Sequence, residues 1–327
     1  MNEFKWGVLG TGGIAAAFVK DLSRAEGHEV VAVGSRTLGK AQEFAKNIPT
    51  ATAYGSYEEL VQDPNVDAIY VATPHPSHEE HTLLALNAGK PVLCEKPFAI
   101  TAKETQAMID CAKKNNVALL EAMWTRYLPH IAVVREILAS GVLGDIQMVE
   151  ADHGQRLADQ NIARLVDPKL AGGALLDLGI YPVSFAHLVL GAPTAITARS
   201  VMTERGVDAQ TSAIFDYATG AQAIINTTMK ALTPCRAVVS GLLGRLEIDS
   251  TFYIPTTMRV ILFDGTVTEY PNNYMGHGLR EQAIEMARVV GAGALESPLM
   301  PWSETLSVMH VMDQIRDQIG LVYPFEN

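Results

Sequence analysis

Over the first third of the chain, short unbroken apolar runs alternate with longer segments in which apolar residues recur every three or four positions. Trp6–Leu9, Val30–Gly34, Ala68–Val71, Pro91–Cys94 and Val117–Leu120 read as buried strands. The helix starts between them are legible: Ser56-Tyr57-Glu58-Glu59, Ser77-His78-Glu79-Glu80 and Thr101-Ala102-Lys103-Glu104 fit the capping box. Strands alternating with helices predict an α/β fold with a parallel, doubly wound (Rossmann) sheet as a first domain over residues 1–122. Beyond Gly144 the texture changes to period-two alternation broken by Gly-containing turns such as Ala218-Thr219-Gly220 and Asp264-Gly265. Ile146–Gln155, Ala195–Thr203, Gln210–Tyr217, Ala221–Met229, Arg236–Ser240, Arg245–Ile248 and Met258–Phe263 read as strands of an open, largely antiparallel sheet. With helices near Gly278–Val290 and Ser303–Gln318, this predicts a second, α+β domain over residues 123–327, its last helix packing back on the first.

The strand ends carry the chemistry. Gly10-Thr11-Gly12-Gly13-Ile14-Ala15 follows the first strand and opens an Ala-rich helix. In that context Gly10 permits a tight turn, Gly12 lets the backbone approach a pyrophosphate, and Ala15 allows close helix–sheet packing. The helix start supplies N–H groups and partial positive charge to the phosphates. The second strand ends at Ser35-Arg36, and no acid occurs from Val30 to Gln42 to accept a ribose 2′-hydroxyl. Ser35, Arg36 and Lys40 are donors suited to a 2′-phosphate, each charge-assisted bond contributing roughly 1.5–3 kcal/mol. The expected cofactor is therefore NADP(H), against the plainer reading of Arg36 as a solvated loop cation.

At the next strand ends, Ala72-Thr73-Pro74-His75-Pro76 forms a stiff wall near the cofactor, and Val92-Leu93-Cys94-Glu95-Lys96-Pro97 stops a buried strand at a charged pair. Ligands bind beyond the carboxyl ends of such strands, so Thr73, Pro74, Glu95 and Lys96 are expected around the cofactor. The bland reading of Glu95-Lys96 is a surface ion pair. His75, His78 and His81 suggest a metal, but Pro76 removes His75 from the helix and no carboxylate completes a set. His78 is read as a cofactor- or substrate-shell residue, against the plainer reading of a helix-surface histidine, and no metal is expected. Trp124 and Arg126, after Glu121-Ala122-Met123, suit either an interdomain hinge or a substrate wall.

In the second half, Gly172-Gly173 leads into an apolar helix running to about Leu190. It carries Asp177 and Tyr181 four apart on one face, with Pro182 removing the bond to the Leu178 carbonyl. An acid inside an apolar helix is costly unless paired, which marks a site. The alternative is a capped structural helix.

Composition narrows the field. The 327 residues carry 25 basic and 36 acidic side chains, a net charge of −11, which argues against general affinity for nucleic acid or an anionic membrane. The start of the sequence suggests a cytoplasmic protein, and no apolar run stands out as a membrane span. Three widely spaced cysteines, Cys94, Cys111 and Cys235, indicate neither a disulfide framework nor a zinc site and are expected as buried free thiols.

Together these residues resemble the glucose–fructose oxidoreductase / inositol dehydrogenase / rhizopine catabolism (Gfo/Idh/MocA) family. The resemblance is carried by the Gly10–Ala15 loop, Ala72-Thr73-Pro74, Gly89-Lys90-Pro91-Val92-Leu93-Cys94-Glu95-Lys96-Pro97, and Gly172-Gly173 leading to Asp177 and Tyr181. Glu121–Arg126 and Leu176–Tyr181 are similar to the branch holding dimeric dihydrodiol dehydrogenase and NADP-dependent D-xylose dehydrogenases, and Tyr181 stands where much of the wider family has histidine. The resemblance implies an open-sheet domain commonly used to form a homodimer and an active site between the domains. In it Tyr181 serves as the acid–base group, Lys96 as the ammonium favouring its phenolate, and Asp177 as the acceptor steadying the lysine or a substrate hydroxyl. Trp124, Arg126 and His78 are substrate-contact candidates. The expected activity is NADP-dependent oxidation of a sugar or cyclic polyol, such as D-xylose or D-glucose to the lactone. Alternatives are a trans-dihydrodiol dehydrogenase, a 1,5-anhydrofructose-type ketose reductase, or a non-catalytic NADP-binding regulatory protein. The last would lack Lys96, Asp177 or Tyr181; a hydrolase recycling tightly held NAD is disfavoured by Ser35-Arg36.

Overall fold

Residues 3–157 and 162–326 are described by a computed structural model. The chain divides into two units, Met1–Tyr127 with Gly276–Leu306, and Leu128–Met275 with Ser307–Asn327.

In the first unit, β1 (Phe4–Leu9), β2 (His28–Gly34), β3 (Thr52–Tyr54), β4 (Ala68–Val71), β5 (Val92–Glu95) and β6 (Leu119–Ala122) pair in the order β3-β2-β1-β4-β5-β6. Every pairing is parallel. β4, β5 and β6 are buried at every position, which is why they read as unbroken apolar runs rather than alternating ones. β3 escaped the sequence because it is three residues long, half exposed and polar at its start.

The connecting helices include α1 (Gly13–Leu22), α2 (Leu38–Ala45), α3 (Tyr57–Val61), α4 (His78–Asn87) and α5 (Ala102–Asn115). Ser56 and Thr101 cap α3 and α5 by accepting from the N–H groups of Glu59 and Glu104, both at 3.2 Å. Ser77 does not cap: Pro76 lies in a 3-10 turn, His75–Ser77, that runs straight into α4. The returning segment, α9 (Arg280–Gly291) and the start of α10 (Trp302–Ile319), belongs to this unit through Trp302 Nε1–H on Leu119 O at 2.7 Å and Leu119 N–H on Leu295 O at 2.9 Å.

The second unit begins with α6 (Pro129–Ala139) and holds an eight-stranded sheet. Its strands are β7 (Ile146–Gly154), β8 (Ala195–Met202), β9 (Asp208–Asp216), β10 (Gln222–Thr228), β11 (Ala237–Gly241), β12 (Gly244–Ile248), β13 (Met258–Leu262) and β14 (Val267–Tyr270). The order is β14-β13-β12-β11-β7-β10-β9-β8, antiparallel except for β7 against β10. Burial alternates along β9, and Ile214 at 41% exposed marks the open face. β14 carries no apolar alternation because it is an exposed edge, and so gave no sequence signal.

Against this sheet lies an apolar run that starts with a short helix, α7 (Ala163–Val166), and continues past Gly172-Gly173. Leu175–Gly179 form a π-helical turn and α8 (Ile180–Leu190) follows. By length and composition alone Pro168–Leu190 is long and apolar enough to cross a membrane, but its most apolar window is 83% buried inside the protein, as expected of a core helix. The three cysteines are free; Cys94 and Cys235 are buried, whereas Cys111 is half exposed.

Candidate active site

Gly10 has φ +112°, and a Cβ there would meet the Ala72 carbonyl oxygen at 2.7 Å, so the turn out of β1 tolerates glycine alone. Gly12 and Gly13 face open space: a Cβ on either would meet nothing within 4 Å. Gly12 is the N-cap of α1, which has no side-chain cap and no acid in its first turn. Its first N–H groups therefore point into the room left by the glycines, as an anion of pyrophosphate size requires. Thr11 is half-buried and Ile14 is exposed at the rim. The cradle fits the diphosphate of a dinucleotide.

At the end of β2, Ser35 is buried, while Arg36 and Lys40 are exposed. Two residues that the sequence reading left out of the cofactor set stand near Arg36. The rings of Tyr57 and His81 lie 4.6 Å apart, edge to face, and His81 Nδ1 is 3.0 Å from Thr73 Oγ1. Burial raises the Tyr57 phenol and lowers the His81 imidazole; the Arg36 charge opposes the first and reinforces the second. An aromatic pair beside a guanidinium at the β2 end suits an adenosine carrying an extra phosphate. No periodicity signalled it, because the loop after β2, α3 and α4 contribute one side chain each.

His78 is not a surface contact. It is fully buried, its Nε2 2.9 Å from Thr73 O and its Nδ1 2.9 Å from Pro97 O. Burial outweighs these two carbonyls and pushes its pKa down to about 4. Rather than lining a shell around the ligand, it ties the loop after β4 to the loop after β5 from beneath. Pro74 is exposed on the first of these loops and Lys96 half-buried on the second. Among the described residues, no group of three His, Cys, Asp or Glu side chains stands close enough to hold a metal ion.

Glu95 also departs from expectation. It is 4% exposed, accepts from the Tyr70 hydroxyl and, at 3.2 Å, from the Lys96 N–H. A carboxylate turned inward on these donors fixes the backbone that presents Lys96 instead of reaching for a ligand. Tyr70 is itself stacked on Phe18 of α1, ring centroids 3.8 Å apart.

After β6, Trp124–Tyr127 form a 3-10 turn. Trp124 packs on His277, ring centroids 4.9 Å apart. Arg126, expected as a substrate contact, is 3% exposed and donates to Glu304 at 2.5 Å, so its guanidinium holds the turn to α10. Glu121 accepts from Thr305 Oγ1 at 2.9 Å, while its Oε1 is buried with no hydrogen-bond partner among the described residues. Burial pushes this carboxyl up to about 7.

In the second unit, the start of the apolar helix is set by Asp208, which the sequence did not flag. Its Oδ2 accepts from the Leu175 N–H and from Thr211 Oγ1, both at 2.8 Å. Gly173, φ +123°, leaves room for that carboxylate; a Cβ would lie 2.1 Å from Asp208 Oδ1. The π turn that follows carries Asp177, 8% exposed, and α8 carries Tyr181, 7% exposed. Asp177 Oδ1 accepts from Arg164 Nη1 at 2.7 Å, an ion pair absent from the sequence reading because Arg164 lies on a separate short helix. Tyr181 is set among rings: Tyr253 at 4.6 Å and His153 at 5.3 Å. Burial raises the Tyr253 phenol far above the ordinary tyrosine range.

A parallel sheet of this order with a glycine cradle, followed by a mostly antiparallel sheet presenting an acid and a phenol, defines a nicotinamide-nucleotide oxidoreductase of the two-unit kind. The chain belongs to the Gfo/Idh/MocA oxidoreductase family. Residues 4–123 match the family model for the oxidoreductase family with NAD-binding Rossmann fold, and residues 131–247 match the GFO/IDH/MocA C-terminal domain. It is 38% identical to trans-1,2-dihydrobenzene-1,2-diol dehydrogenase of Xenopus tropicalis, over 98% of this chain and 99% of that one. It is 37% identical to the D-xylose 1-dehydrogenase (NADP(+)) of Hypocrea jecorina, over 98% and 93%. Among solved structures, aldose-aldose oxidoreductase from Caulobacter crescentus complexed with glycerol superposes with a TM-score of 0.87 at 26% identity, covering 97% of each chain. The 3-ketoreductase KijD10 from Actinomadura kijaniata with NADP and TDP-benzene gives 0.86 at 26% identity, covering 97% and 98%.

Proposed function

We propose that this oxidoreductase transfers a hydride between NADP(H) and a carbinol or carbonyl carbon of a sugar or cyclic polyol, oxidising an aldose such as D-xylose or D-glucose to its lactone. The observation that carries the reading is the pair of built sites: an uncapped glycine cradle with Arg36 at the β2 end, and a buried acid and phenol on the π turn and α8. The relatives named for D-xylose with NADP(+) and for a dihydrobenzene diol support the substrate class.

The cradle of Gly10, Thr11, Gly12, Gly13 and Ile14 would hold the diphosphate, and Arg36 with Lys40 and Ser35 the 2′-phosphate. When bound, the nicotinamide supplies a hydride acceptor or donor at its C4. Tyr181 takes the hydroxyl proton of the substrate as the carbinol is oxidised, and returns it in the reverse direction. A phenol of reference pKa about 10 is almost wholly protonated at neutral pH, and a nearby ammonium favours the phenolate. We assign that ammonium to Lys96. Such acid–base help is worth roughly 10²–10⁴ in rate. Asp177, held by Arg164, is the acceptor for a substrate hydroxyl, and Trp124 an apolar wall for the ring. We further take the protein to act as a homodimer through the open face of the eight-stranded sheet; light scattering at a monomer mass would remove that part.

The test is a screen of aldoses, inositols and trans-dihydrodiols with NADP, following absorbance of the reduced cofactor. Turnover of at least one pyranose is expected. A protein that binds NADP but turns over none of the three classes would be the non-catalytic alternative instead.

A further inference from the structure

In a regular α-helix the N–H of residue 182 would donate to the carbonyl of residue 178. Residue 182 is proline, which has no N–H, so the Leu178 carbonyl loses its ordinary partner and along the chain has the N–H of Ile180, two residues on, directed at it. Another strand fills the place. His153, at the end of β7 and 1% exposed, sets its Nδ1 3.1 Å from Leu178 O. A carbonyl only accepts, so Nδ1 carries the proton and, in the neutral ring, Nε2 is the acceptor. That assignment agrees with the neighbour on the other side, where Gln155 Nε2 lies 2.9 Å from His153 Nε2 and donates to it. The same amide nitrogen donates to the Tyr253 hydroxyl at 3.3 Å.

The rings continue the connection. His153 stacks on Tyr253 with centroids 4.1 Å apart, Tyr253 lies 4.6 Å from Tyr181, and His153 meets Tyr181 edge-on at 5.3 Å. His153 thus holds the backbone of the turn between Asp177 and Tyr181 at the Leu178 carbonyl and packs its ring edge-to-face with that of Tyr181. Both contacts come from the end of one strand, where the backbone is anchored by Thr227 Oγ1 on His153 O at 3.0 Å.

We propose that His153 is a positioning residue for Tyr181, and that its need arises from Pro182: the imidazole supplies the hydrogen bond the proline cannot. This rests on the reading of Tyr181 as the proton-transfer group. It predicts that the two residues are coupled, since restoring a backbone N–H at position 182 makes the Nδ1 donor dispensable.

The test is a cycle of His153→Phe, Pro182→Ala and the double variant in the full-length protein, with Tyr181→Phe alongside. His153→Phe keeps a stacked ring and loses the donor. It is expected to lower kcat roughly 10- to 100-fold, the cost of a misplaced catalytic group, with the KM for NADP within about twofold. Pro182→Ala should stay within about threefold of wild type, and the double variant should return to within about threefold of Pro182→Ala. His153→Asn, which keeps a donor where Nδ1 was, should keep most of the turnover. A double variant as slow as His153→Phe, or a His153→Phe enzyme with wild-type kcat, overturns the proposal. Urea midpoints of the four proteins read the same coupling without activity: additive midpoints overturn it, a double variant more stable than the sum of single losses supports it. If Tyr181→Phe keeps its turnover while the midpoints still couple, the catalytic assignment of Tyr181 fails and the His153–Pro182 pairing stands.

Discussion

Arg36 is exposed at the end of β2 with no acid near it in sequence, and its charge reaches Tyr57 and His81. Removing it should cost the 2′-phosphate its strongest donor. Arg36→Ala is expected to lower the ratio of kcat/KM for NADP over NAD by about 10- to 100-fold, the range of one charge-assisted bond; an unchanged ratio removes Arg36 from the cofactor set. Glu121 carries a different signal. Its folded pKa is raised to about 7 from an ordinary 4.5, so the native state holds the proton more tightly than the unfolded chain. Its contribution is therefore complete below the unfolded value and is lost as pH rises through the folded one, a loss of up to about 3 kcal/mol. Urea midpoints of wild type should fall between about pH 5 and pH 8 more steeply than those of Glu121→Gln; parallel curves contradict the assignment. At this scale the sequence was legible where one residue type has one use, as with Gly10 in the turn out of β1. It was not legible for Glu95, His78 and Arg126, whose partners Tyr70, the Thr73 and Pro97 carbonyls, and Glu304 are brought by folding.

At the scale of elements, apolar runs located the strands because both faces of β4 to β6 are buried, and the glycine loop located α1 because its first turn needs no side-chain cap. The π turn at Leu175–Gly179 could not be read that way. Its spacing of apolar residues is that of any buried helix, and groups from other strands bond its backbone, Asp208 at the Leu175 N–H and His153 at the Leu178 carbonyl. Gly173 is where this matters for stability. Gly173→Ala would force a Cβ to 2.1 Å from Asp208 Oδ1 in a backbone conformation of φ +123° that alanine avoids. A loss of at least about 2 kcal/mol is expected, of the order of a lost cap plus backbone strain, read as a lowered urea midpoint; a midpoint within error of wild type would mean that Asp208 does not organise this start.

At the scale of the molecule, the two groups proposed to act on one proton belong to units of different architecture, Lys96 to the first and Tyr181 to the second. The change from unbroken apolar runs to period-two strands announced that division in the sequence, whereas the return of Gly276–Leu306 to the first unit was carried by single contacts such as Asp21 accepting from the His277, Gly278 and Arg280 N–H groups. The most direct measurement is a double-mutant cycle on kcat with the best sugar from the screen. Lys96→Met and Tyr181→Phe should each lower kcat by roughly 10²–10⁴. Together they should lower it little further than the worse of the two, because groups acting on one proton are not additive. Losses that multiply in the double variant, or near-normal turnover in either single one, would contradict a shared role for the ammonium and the phenol.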